Sequence, residues 1–169
     1  MRNDPEPDGS EFQLLTQYLD HQRDAMVRKI EGLTKSQLAQ KLAPSELTLG
    51  GLVYHLALVE ETWMEVRFLG YPDREPWNEV DWDADPNWEF RTAGELTPEE
   101  LRERYRIACE RSRQVVSSAK NLEQLSVRPL RDGPHFSLRW VVLHLIEETG
   151  RHVGHADLLR EAIDGAVGE

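Results

Sequence analysis

The chain holds a single cysteine, Cys109. That excludes an internal disulfide and a cysteine-based zinc knuckle. Its flanks, Ile107-Ala108-Cys109-Glu110-Arg111, read as helix with no histidine near in sequence. A packed cysteine is expected there rather than a nucleophile. No apolar run approaches the roughly 20 residues that a membrane helix needs, so no membrane span is expected. The polar, acidic beginning lacks the apolar core of a secretory signal, which points to the cytoplasm. Positive charge is also scarce: 20 basic residues stand against 31 acidic ones, a net charge of −11. Such a surface repels phosphate backbones and anionic bilayers, which argues against nucleic-acid and membrane partners.

Several motifs are missing. There is no Gly-x-Gly-x-x-Gly or Walker-type phosphate loop, and no serine sits in a Gly-x-Ser-x-Gly elbow. Asp81, Asp83 and Asp85 begin like a calcium loop. The pattern then fails, with Pro86 where the glycine is required and Thr92 where the bidentate glutamate belongs.

What is present is helical. The length of 169 residues, with 39% hydrophobic and 30% charged residues, suits one ordinary domain over 1–169, with residues 1–9 as a flexible tail. Four long amphipathic patterns appear, without strand alternation. The first follows Ser10 as N-cap and stops at Gly32. Thr34 to Gln37 has capping-box form and opens a short turn. The second long helix starts after Thr48 and ends at Gly70, with a stripe of Leu52, Val59, Val66 and Leu69. The third opens at Thr97-Pro98-Glu99-Glu100 and runs to about Ala119. The fourth begins after Ser137 and ends before Gly165. Between the second and third lies an acidic, proline-interrupted stretch, Tyr71 to Gly94, whose Trp77, Trp82 and Trp88 predict an ordered loop packed on the bundle. The fold expected is an all-α four-helix bundle with this long acidic Trp-rich loop between helices two and three, and a moderate connection from Leu122 to Phe136.

The fourth helix carries the chemistry. His144, Glu148, His152 and His155 follow one another at spacings of 4, 4 and 3, fanning over roughly 80° of its surface. They project to the side of Trp140, Val141 and Leu159, toward the bundle. A carboxylate facing a core costs several kcal/mol unless it is paired or binds a metal. One reading is a polar stripe at the interface edge, with Glu148 paired to Arg151 or His152. The other adds His55, in the middle of the second helix's apolar stripe. Two helices then offer a His, a Glu and a His to one point, as in three-ligand catalytic metal sites. Two imidazoles and a carboxylate suit zinc best, with nickel, iron or manganese also compatible.

These residues also carry a resemblance. Leu52 to Glu60 with its His55, Arg139 to Glu161 with its Glu148-x-x-x-His152, and Asp20-His21-Gln22-Arg23 are similar to the DinB-like (YfiT-like) superfamily of four-helix metalloproteins. The nearest likeness is to the actinobacterial branch around mycothiol-dependent maleylpyruvate isomerases and mycothiol S-transferases. The resemblance implies a divalent metal held by His55, Glu148 and His152. It also implies a low-molecular-weight thiol such as mycothiol as co-substrate, an electrophilic second substrate, and a metal-dependent transferase or isomerase, in a homodimer. His144, His155 and Arg151 are then candidates for a supporting shell or substrate pocket, and no catalytic base is singled out. The alternative is a non-catalytic metal-binding or interaction bundle.

Overall fold

The computed structural model describes residues 4–131 and 133–168. Six helices fill the described chain: α1 (Glu11–Ile30), α2 (Lys35–Leu38), α3 (Leu49–Glu61), α4 (Trp88–Thr92), α5 (Pro98–Ser118) and α6 (Leu138–Asp164). The long ones form the expected all-α bundle. Their starts are set by side chains that satisfy orphan N–H groups. Ser10, Thr34 and Thr97 each form a full capping box, with Gln13, Gln37 and Glu100 respectively. Thr48 and Ser137 accept from Gly51 and Trp140. Gly165 ends α6 in the left-handed conformation at φ 79°, which glycine adopts without a Cβ clash.

Residues 4–9 precede α1 without helix, and the Glu6 N–H donates to Gln17 Oε1 at 2.8 Å. The first three residues of the expected tail lie outside the described residues.

α1 packs mainly against α6, and α3 against α5. α3 is the central element. Leu49, Leu52, Val53, Tyr54, Leu56 and Ala57 are all buried, so it is covered on almost every side. Its two glycines let neighbours in. A Cβ on Gly51 would lie 2.8 Å from Phe90 Cδ1. Beyond Glu61 the helix continues as a π-helix, Thr62–Phe68, a wider turn that often marks a functional site. It closes with Leu69 N–H bonded to Met64 O.

Polar groups buried on α3 are paired, as burial demands. The Arg23 guanidinium of α1 grips Glu60 through two hydrogen bonds, Nε–Oε1 at 2.7 Å and Nη2–Oε2 at 2.6 Å. Cys109 lies beside this pair, its Sγ 3.9 Å from Glu60 Oε1, and burial pushes its thiol well above the ordinary range. It is a packed cysteine, as its sequence context predicts.

The Trp-rich stretch folds onto α3. Trp77 is buried, with its ring 4.7 Å from Tyr54, and Trp88 approaches both rings at 6.0 Å. Arg74 anchors the segment to Glu65 at 2.8 Å, and Arg91 pairs with Asp85 within it at 2.6 Å. No helix among the described residues is long and apolar enough to cross a membrane.

Candidate metal centre between two helices

The buried face of α6, which packs against α1 and α3, is centred on Val142, Leu145, Thr149 and Ala156. The apolar set read from sequence leaned to one side of this face. Trp140 is 40% exposed and Leu158 60%, because large apolar residues also sit on surfaces and pull a pattern-based centre toward themselves. The shift moves His144 and Glu148 from the middle of the buried face to its lip. The His152 side chain is 11% exposed and the Glu148 side chain 18%. A site at this lip is dry on one side and open on the other.

His55, Glu148 and His152 come together there, with one donor atom from each within 4.8 Å of the other two. Glu148 Oε1 lies 3.5 Å from His55 Nε2 and 3.2 Å from His152 Nε2. Two ligands about 2.0–2.1 Å from a tetrahedral zinc stand about 3.3 Å apart, so these separations fit the edges of one coordination tetrahedron.

Both imidazoles are oriented from behind. Glu89 Oε1 lies 2.9 Å from His55 Nδ1, and His155 Nδ1 lies 3.3 Å from His152 Nδ1. In each case the far nitrogen is engaged and Nε2 faces Glu148. Phe90 stacks on His55 at 4.9 Å between ring centroids, 25° from parallel, and the His55 and His152 rings meet edge-on at 5.0 Å.

Counting protons shows what this arrangement lacks. A neutral imidazole has one N–H. If the Nδ1 proton goes to Glu89, His55 Nε2 presents a lone pair to the Glu148 carboxylate. Two acceptors then face each other, which requires either a second proton or a cation between them. Glu89 Oε2, the other oxygen of the carboxyl behind His55, is buried and has no hydrogen-bond partner among the described residues. Burial, with His55 alongside, holds His152 below the ordinary histidine value and hence neutral. Burial opposes ionisation of Glu148, but the adjacent His152 and the close contact with ring nitrogens of both histidines outweigh it, leaving its carboxyl below the ordinary range. Neutral imidazoles and an ionised carboxylate are the protonation states that ligate a divalent cation.

The remaining sequence candidates are placed as follows. His144 packs between Trp63 and Trp140, at 4.4 and 5.2 Å between centroids, and burial lowers its pKa. His155 backs His152, as above. Arg151 is exposed, with its guanidinium paired to Glu147, away from the three convergent groups. Glu89 was not among the candidates. It sits 34 positions from His55 in the short helix α4, within the stretch read from sequence as a loop, and a helix of 5 residues is too short for periodicity to mark which side a residue faces.

A model of the mycothiol-S-transferase family matches residues 14–165. The chain belongs to this family. The match spans α1 to the end of α6, and so includes all three convergent residues. Among solved structures, the crystal structure of a conserved protein from Enterococcus faecalis is similar in fold. Its TM-score is 0.70 at 14% identity, covering 94% of this chain and all of that one. No curated protein matches the sequence. The family and the structural likeness agree on a DinB-like helical bundle.

Proposed function

We propose that this family member is a metal-dependent S-transferase that joins a low-molecular-weight thiol, mycothiol by family, to an electrophile. The observation that carries the proposal is the convergence of His55 Nε2, His152 Nε2 and Glu148 within 4.8 Å at the α3–α6 lip. A divalent cation held by these three residues, zinc being best suited, would lower the pKa of a bound thiol and present it as thiolate.

The chain's own residues do the rest. Glu89 and His155 fix the tautomers of His55 and His152 from behind, so that both Nε2 atoms point to one place. The carboxylate of Glu148 supplies one negative charge to that place, so a divalent ion held there would keep a net positive charge. The thiol proton must leave before sulfur attacks. His144, half-buried one helical turn before Glu148 and held neutral by burial, is our candidate to take it. Sulfur then bonds to the electrophilic carbon, whose leaving group departs with its electron pair. The expected homodimer and cytoplasmic location belong to the same proposal.

A second reading has one observation in its favour. A doubly protonated His55 would satisfy both Glu89 and Glu148 without any ion, in a bundle that does not turn over. Elemental analysis separates the two. Protein purified without a histidine tag should carry close to one divalent ion per chain, and the His55→Ala, His152→Ala double variant close to none. Equal content in the two proteins would leave the second reading standing. Metal present without mycothiol-dependent conjugation of a model alkyl halide would keep the site and refute the transfer.

A further inference from the structure

The face of α3 that carries His55 does not end at the three-residue cluster. Leu58, Thr62 and Val66 follow at helical spacing, and all three line an open cleft of about 640 Å³. At 1.5 Å per residue Leu58 and Thr62 lie about 4.5 and 10 Å along the helix from His55, within the length of a small organic substrate. A second route joins the two places. His144 packs on Trp63, and the Arg67 guanidinium lies 5.1 Å over that same Trp63 ring.

The cleft has a distinct composition. Leu58, Val66 and Trp82 give it apolar walls, and Arg67, Arg128 and Arg131 also line it. Three cations in one cleft stand out in a chain of net charge −11. Several arginines elsewhere are matched to acids, as in Arg23–Glu60, Arg74–Glu65 and Arg139–Glu11. Here the partners are neutral. Arg128 donates to the Gly70 and Tyr71 carbonyls at 3.2 and 2.9 Å, and Arg67 reaches the Pro129 carbonyl at 3.5 Å. Carbonyls hold the guanidinium groups in place and leave their charge unspent. Asp73 is the one acid among the described lining residues, so the cleft keeps a positive surplus. The π-helical stretch Thr62–Phe68 supplies Thr62, Val66 and Arg67 to this wall.

We infer that this cleft binds the second substrate, and that this substrate is a carboxylate on an apolar body. Its carboxylate lies against Arg67, Arg128 and Arg131, its hydrocarbon part against Leu58, Val66 and Trp82, and its electrophilic end points along α3 toward His55. The role as electrophile rests on the transferase reading above. The selectivity for a carboxylate does not, and it is measured without thiol or turnover.

The test is calorimetric titration of the full chain with octanoate and with octanamide, its uncharged counterpart. Octanoate should bind at least about tenfold more tightly, the effect of roughly one charge-assisted contact. Arg67→Gln and the exposed Arg131→Gln should each weaken octanoate by about that factor and leave octanamide unchanged. Arg106→Gln, on the far exposed part of α5, should change neither. The His55→Ala, His152→Ala double variant should bind octanoate like the wild type, which keeps the cleft separable from the metal proposal. Equal binding of acid and amide overturns the inference, as does no octanoate binding at all. So does octanoate affinity that survives both arginine changes, or affinity lost with the two histidines while Arg67→Gln binds normally.

Discussion

Glu89 and His55 form the contact on which the site's geometry turns: a buried carboxylate oxygen 2.9 Å from the imidazole Nδ1, across 34 positions of chain. The carboxylate decides which nitrogen of His55 faces α6. On the metal reading it would also make that nitrogen a stronger ligand, since carboxylates behind metal-bound histidines raise ligand basicity. Glu89→Gln keeps the shape and removes the charge. We expect zinc affinity, read by competition with a chromophoric chelator, to fall by about 10–100-fold. An unchanged affinity would mean that Glu89 supports packing alone.

Gly51 lies one helical turn before His55, and its Cβ position is already taken. Alanine there would put a methyl group 2.8 Å from Phe90 Cδ1 and 2.9 Å from Thr48 Oγ1. Phe90 is the ring that stacks on His55. Helix propensity alone favours Gly51→Ala by about 1 kcal/mol. Overpacking opposes it by about 1–3 kcal/mol. We expect the clash to win, giving a lower urea midpoint together with weaker metal binding. A more stable variant would refute this.

The Arg23–Glu60 pair, at 3% and 1% exposure, is buried on both sides. Removing one partner strands the other's charge, at a cost of about 3–5 kcal/mol. Glu60→Leu should therefore destabilise severely. The double variant Arg23→Met, Glu60→Leu should regain most of the loss, because both charges then go. Chemical denaturation of the two variants measures it, and a double variant no better than the single one would contradict the account.

The metal-free protein should lose stability on acidification. Burial, with His55 adding to it, sets His152 below the ordinary value of 6.5, and burial does the same at His144. Between the folded and unfolded values the unfolded chain binds more protons, so stability rises with pH there. The contribution is complete above pH 6.5 and is lost as pH falls through the folded-state values. Glu148, held below 4.5 against the opposing effect of its burial, adds a second loss further down. Urea midpoints in chelator should fall between about pH 8 and pH 5, and the gap between wild type and His152→Gln should narrow over the same range. A gap that stays constant would show that His152 is not responsible.

Much of this fold is written locally. Ser10, Thr34, Thr97 and Ser137 announce helix starts because a cap is a contact between residues two or three apart. The Glu148–His152 pair is legible for a similar reason, since residues four apart on a helix are neighbours. His55 was legible as a polar group in an apolar stripe. The π-helical continuation of α3 was not, because no local signal separates it from an α-helix. Nor was the true centre of the buried face of α6, which the large exposed Trp140 and Leu158 displaced.

By itself the sequence determined the helices, most of their ends, and which residues on two of them to consider together. Those properties depend on neighbours within a turn or two. Only the tertiary structure decided that His55 and Glu148, 93 positions apart, stand 3.5 Å from each other, and that Glu89 closes on His55 from the short helix α4. It alone lined up three arginines, from the π-helical stretch after α3 and from a distant loop, in one cleft beside that face. Such contacts are fixed by how the elements pack, and packing energy is summed over the whole core rather than carried by any local run of residues.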